Sequence, residues 1–264
     1  MIGDLDLSAV EEGDTVYLQS SAVKTMSKQL LAVKSPFILV TGDCDEDVPN
    51  DIFTESEFQE FIESEKILHW FSQNSVGVHK KLTQMPIGLD YHTRASSDKW
   101  GARMNPVGQE KEILALKGAA KPFYERQPKA YANFHFSMSG KYGHDRVDAK
   151  NSIPSDCVVY EPSRVTQSET FQHQIEYAFV VSPHGNGLDC HRTWEALVLG
   201  CIPIVKTSAL DPLFSDLPVL IVDSWSQVNR EMLSDTLKEY RNRQFNYDKL
   251  TLKFWVDKIR DFSP

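Results

Sequence analysis

Six residues whose types could hold a phosphorylated ligand, His184, Gly185, Asn186, Gly187, Arg192 and Glu195, fall within one run, PHGNGLDCHRTWEALVLGCIPIV, from Pro183 to Val205. Arginine offers a fork of donors to phosphate oxygens. Glycine lets a backbone turn sharply and come close to a ligand, and a glutamate can accept from vicinal sugar hydroxyls. The preceding AFVVSP reads as a buried strand. Trp194, Leu197, Val198 and Cys201 recur at helical spacing and form an apolar stripe, with His191, Arg192 and Glu195 off it. Asp189 is expected as the N-cap and Gly200 as the residue that ends the helix. Unpaired N–H groups at a helix start that follows a strand attract anions. The same spacing also suits a surface ion pair between Arg192 and Glu195 on a plain capped helix. Spacing alone leaves both readings open.

The elements that must position these residues alternate between short apolar strands and helical patterns. That is the signature of α/β layering with parallel strands. VYLQ, SPFILVTGD, KILHWFSQN and LTQMPIGLDYH give strands and their loops in the first half, with helices over Ala22–Val33, ESEFQEFIESEK and GQEKEILALKGAA. The proline-bearing KPFYERQPKA marks the expected boundary, between a first Rossmann-like domain over 1–125 and a second over 126–264. Beyond it AYANFHF, CVVYEP, AFVVSP, CIPIV and LPVLIVD read as strands, and SETFQHQIEYA as a helix capped by Ser168. The last helix, DKLTLKFWVDKIRDF, carries Trp255, Ile259 and Phe262 on one side and is a candidate to pack back on the first domain. In such folds ligands sit at the carboxyl ends of the strands.

Composition narrows the classes. With 264 residues, 41% of them hydrophobic, the chain can bury one large core or two modest ones. Its net charge of −9 argues against a general nucleic-acid binder, though not against a local basic pocket. The 4 cysteines lack metal-ligand spacing, so no metal site is expected from them. If Cys190 and Cys201 end one helix, they lie about 16 Å apart, beyond disulfide reach. The acidic N-terminus has no apolar signal-like core, and no run approaches the length of a membrane span. A soluble cytoplasmic protein is expected, unless an N-terminal anchor precedes this sequence. Walker A, G-x-G-x-x-G, G-x-S-x-G and H-E-x-x-H motifs are absent.

The run SPHGNGLDCHRTWEALVLGCIPIV resembles the exostosin-type glycosyltransferases. There a strand and a glycine-containing loop precede a helix with Arg and Glu, followed by G-C-I/V-P-I/V. The likeness extends into LPVLIVDSWSQV and, more loosely, back to ANFHFSMSGKYGHDR. It implies a GT-B fold, two Rossmann-like domains facing across a cleft. It also implies inverting transfer of a pentose, hexose or uronic acid from a nucleotide sugar, UDP-linked in most such enzymes, to a glycan hydroxyl, with no obligatory metal. On that basis Arg192 meets the diphosphate, Glu195 the donor ribose or sugar, and His184, Gly185, Asn186 and Gly187 line the donor pocket. Arg146, after a loop with Asn133, Ser137 and Ser139, is a second diphosphate candidate; its alternative is a solvated arginine in HDRVDAK.

Inverting transfer needs a base for the acceptor hydroxyl. The candidates are Asp90 and His92 in GLDYH, preferred slightly, and Asp43 in TGDCDED; either aspartate could instead be a turn or helix cap. Two alternatives stand beside this reading. One is a nucleotide- or glycan-binding module that has lost the chemistry. The other, ranked lower, is a metal-dependent GT-A-type transferase using Asp43 and Asp45, but few residues precede that motif.

Overall fold

The computed structural model describes residues 6–136 and 138–263, so Ser137 lies outside the described residues. The chain divides into two compact units, Met1–Ile87 with Thr251–Pro264, and Gly88–Leu250. The boundary expected at 125/126 therefore falls inside the second unit. KPFYERQPKA is not a linker because Arg126 pins it. The residue is 9% exposed, and its guanidinium donates to the Leu199 carbonyl at 3.0 Å and to Cys201 Sγ at 3.1 Å, while Nε donates to the Lys121 carbonyl.

The first unit runs β1 (Thr15–Gln19), α1 (Val23–Leu31), β2 (Phe37–Gly42), α2 (Glu55–Glu63), β3 (Ile67–Ser72) and β4 (Leu82–Gln84). Its four strands are parallel in the order β1-β2-β3-β4. β2 is buried at every position, which explains its unbroken apolar run. Thr54 and Glu57 form a reciprocal capping box on α2. That helix then places Phe58, Phe61 and Ile62 on one face against the buried Trp70. The Trp70 indole N–H is satisfied by Thr41 Oγ1 at 2.9 Å.

The second unit contains α3 (Tyr91–Ser96), α4 (Pro106–Ala119), β5 (Gln127–Ala132), α5 (His144–Ser152), β6 (Val158–Tyr160), α6 (Gln167–Gln174), β7 (Tyr177–Val181), α7 (His191–Val198), β8 (Ile202–Lys206), β9 (Leu220–Val222) and α8 (Arg230–Arg241). Its five parallel strands are ordered β6-β5-β7-β8-β9. From β5 the chain goes outward to β6, then returns to the other side of β5 as β7. The strand order thus reverses between β5 and β7, where open α/β sheets leave a crevice at their carboxyl ends. α4 belongs here because Ile113 packs with Phe171, Val180, Ala196 and Leu199. The chain then returns to the first unit through α9 (Leu252–Arg260), where Ile259 packs against Ile38, Val40 and Phe71 and the Phe262 ring stacks on His69 at 3.7 Å.

Local expectations shift in three places. The strand expected over AYANFHF ends at Ala132. The cap of α6 is Thr166, in a capping box with Glu169, rather than Ser168; the Ser168 hydroxyl donates instead to Glu112 Oε1 at 2.6 Å. Cys190, not Asp189, occupies the N-cap position of α7, without a side-chain bond to it. Gly200 does follow the C-cap, with φ 74°, a left-handed conformation that suits glycine. All four cysteines are free thiols. Among the described residues no helix is long and apolar enough to cross a membrane.

Candidate functional site

At the β5/β7 reversal two loops face each other, residues 133–136 and 138–143 after β5 and 182–190 after β7. Arg146, in the first turn of α5, clamps them. The residue is 6% exposed, and its guanidinium donates from Nε to the His184 carbonyl at 3.0 Å and from Nη1 to the His135 carbonyl at 3.2 Å. A Cβ on Gly185 would lie 3.1 Å from Arg146 Nη2 and 3.2 Å from Cys190 Sγ, so the close approach calls for glycine. A Cβ on Gly140 would meet Asn186 Oδ1 at 2.3 Å, which fixes the second contact between the loops.

Asp145 completes the clamp and was not anticipated from the sequence. It is 2% exposed; one carboxylate oxygen accepts the His184 N–H at 2.9 Å and the other the Trp225 indole N–H at 2.7 Å. His184 is buried too, with Nδ1 3.0 Å from the Leu188 carbonyl. Gly185 and Gly187 are buried in the loop, and Asn186 is exposed at its tip. Asp189, buried, accepts from the Cys190 N–H and from the Trp194 indole N–H at 2.8 Å.

Arg192 enters the same crevice from the first turn of α7. Its guanidinium lies over the Phe134 ring at 5.3 Å and donates to the Pro183 carbonyl at 3.3 Å. Burial, followed by the positive charge of Arg192, pulls Arg146 down to about 10. His135 is also held below its ordinary value, first by burial and then by Arg146, Lys99, Arg164 and Arg192. Among the described residues neither Arg146 nor Arg192 forms an ion pair with a carboxylate. Two guanidinium groups gathered at a sheet crevice, each turned to carbonyl oxygens, leave positive charge that an anionic ligand would neutralise.

Glu195 lies one turn further along α7, in a small cleft with Asp90, Tyr91, Gln109 and Gln167. Burial pushes its carboxyl up to about 7, reinforced by Asp90 and opposed by Arg192 and by the hydrogen bond from Gln167. Gln167 Nε2 donates to Glu195 Oε1 at 3.0 Å, and Gln109 Nε2 donates to the Tyr91 carbonyl at 2.8 Å. Arg192 and Glu195 are not an ion pair at contact distance, so the surface-pair alternative does not describe them.

Asp90 caps α3 by accepting the Thr93 N–H at 2.9 Å, and His92 Nδ1 stands 3.2 Å from the same carboxylate oxygen. Both residues belong to the second unit together with Arg146, Arg192 and Glu195; they were expected in the first domain. The reason is the earlier boundary, since the chain joins the second unit at Gly88. His191, at the start of α7, stands beside them, with its ring 6.0 Å from that of His92. Asp43 belongs to the first unit. It follows β2 with φ 54°, its N–H donates to Gln73 Oε1 at 3.0 Å, and its carbonyl accepts from Gln19 Nε2.

No family model matches the chain, and no curated protein does. Several solved chains are similar at a low level, two of them over 97% of this chain. One is described as an alpha1,3-fucosyltransferase, with 9% identity and a TM-score of 0.37 over 97% of this chain and 94% of that one. The other is the N-terminal domain of Candida albicans trehalose-6-phosphate phosphatase, with 12% identity and a TM-score of 0.39 over 97% of this chain and 68% of that one. Likenesses this distant assign no activity to the chain.

Proposed function

We propose that the chain is a nucleotide-sugar-dependent glycosyltransferase whose donor diphosphate occupies the β5/β7 crevice. The observation that carries this reading is the pair of guanidinium groups, Arg146 and Arg192, at the strand-order reversal with no carboxylate partner among the described residues. The resemblance of Pro183–Val205 to exostosin-type enzymes supports the same ligand. In this reading Arg192 and Arg146 stabilise the negative charge that grows on the departing diphosphate. His184, Gly185, Asn186 and Gly187 shape the loop around it, and Glu195 accepts from donor hydroxyls. The acceptor oxygen attacks the anomeric carbon as the carbon–oxygen bond to the diphosphate breaks, and the acceptor proton passes to the Asp90–His92 pair. Asp43 is the alternative base. UDP is the preferred nucleotide, and neither a metal nor another cofactor is required. The second reading, a binding module without turnover, is favoured by the commitment of Arg146 to loop carbonyls and of Asp90 to a helix cap.

Titration calorimetry with UDP, GDP, ADP and their sugars tests the donor site. Binding of one nucleoside diphosphate, weakened by Arg192→Ala, is expected. If none binds or raises the melting temperature at saturating concentration, the donor reading fails. Binding without sugar transfer or slow donor hydrolysis favours the module.

A further inference from the structure

We infer that Asp90, His92 and His191 form a binding site for a divalent first-row transition ion, with zinc as its natural probe. One ligand atom from each side chain can be chosen so that all three lie within 4.8 Å of one another. The residues come from two separate elements, Asp90 and His92 from the start of α3 and His191 from the start of α7. Two imidazoles and one carboxylate are a donor set that suits zinc and its neighbours, and that magnesium or calcium does not favour.

Hydrogen bonds set two of the three ligands in advance. His191 Nδ1 lies 2.8 Å from the Gly88 carbonyl. A carbonyl can only accept, so Nδ1 carries the hydrogen and Nε2 is the ligating nitrogen. A ligating histidine held through its other nitrogen by a carbonyl is the usual outer-shell arrangement of metal sites. Asp90 is fixed by the Thr93 N–H. His92, with 71% of its side chain exposed, is the adjustable member. Tetrahedral bonds of about 2.1 Å place ligand atoms about 3.4 Å apart. Any pair that stands wider than this closes by at most about 1.4 Å, and the exposed His92 ring is the member freest to move. The N-terminal N–H groups of α3 and α7 oppose a cation, while the Asp90 carboxylate within the cluster and the nearby Glu195 favour it. Three protein ligands leave the ion a further position for water or a ligand oxygen.

The inference goes beyond the sugar-transfer reading and shares Asp90 and His92 with it: with zinc bound the two are ligands and Asp43 is the remaining base candidate, so zinc binding is read without nucleotide and nucleotide binding without zinc. The full chain, stripped with chelator, is titrated with zinc by calorimetry, and cobalt(II) spectra report the ligand type. One ion per chain is expected, with cobalt d–d bands and no thiolate charge-transfer band. His92→Ala and His191→Ala should each weaken zinc affinity by at least about tenfold. His92 is exposed, so its variant keeps the fold, and unchanged far-ultraviolet circular dichroism checks this. Cys44→Ser with Cys190→Ser should bind zinc as the parent does. The proposal is overturned by no zinc binding to the parent, by unchanged affinity in both histidine variants, or by loss of binding in the cysteine variant.

Discussion

At the scale of single residues, the side chains that matter are those whose charge lacks a matching partner. Arg192→Ala removes one of the two crevice cations while leaving Arg146 to hold the loops. Nucleoside diphosphate affinity is expected to fall about tenfold or more, because charge-assisted bonds to phosphate are among the strongest polar contacts. Calorimetry at two ionic strengths checks this, and the salt dependence of binding should flatten in the variant. Glu195 gives a second prediction with a sign. Its carboxyl is raised from 4.5 to about 7, so between those values the folded chain holds a proton that the unfolded chain has lost. Stability from this group is therefore present below pH 4.5 and declines as pH rises through 7. Glu195→Gln keeps the acceptor for Gln167 and removes the titration. The variant should be more stable than the parent at pH 8, by on the order of 1–3 kcal/mol, and indistinguishable at pH 4.5, as read by denaturant unfolding.

At the scale of elements, legibility in the sequence follows the solvent pattern. β2, α2, β7 and α7 announce themselves because their buried faces are apolar, and the helix carrying Arg192 and Glu195 stands where its periodicity places it. α5 does not, because its buried face is Asp145, Arg146 and Ala149. Polar residues at core positions hide the helix from any hydrophobic count, and those same residues build the clamp between the loops. The Asp90–His92–His191 grouping was also illegible, since it joins positions about a hundred residues apart by tertiary packing. Capping is intermediate. The start of α6 was visible, but Thr166 and Ser168 compete for it, and the winner is the residue with a glutamate at the third helical position. Thr166→Ala should then cost about 1 kcal/mol in denaturant unfolding, within the range for lost N-caps. A cost near zero would remove the capping box as a source of stability.

At the scale of the whole molecule, each unit has its own buried cluster, and each carries a buried titrating group that responds to acid in the opposite sense. In the first unit His69 is 2% exposed, bonded to Thr83 Oγ1 at 2.8 Å and stacked on Phe262 from the returning segment. Burial, with Lys258, His79 and Lys81 adding to it, lowers its value from 6.5 to about 4. The unfolded chain therefore binds the proton first. Stability from His69 is full above pH 6.5 and is lost as pH falls towards 4. Glu195 in the second unit gains over much of that window as pH falls from 7 to 4.5. Hydrogen exchange followed by mass spectrometry can read the units separately. Between pH 7 and 5, corrected for the intrinsic exchange rate, amides of β3 should lose protection while those of β7 hold or gain it. His69→Gln should abolish the loss in β3 and leave β7 unchanged. A parallel loss in both strands would mean that one cooperative transition governs the whole chain, and the division at Gly88 would then carry no thermodynamic meaning.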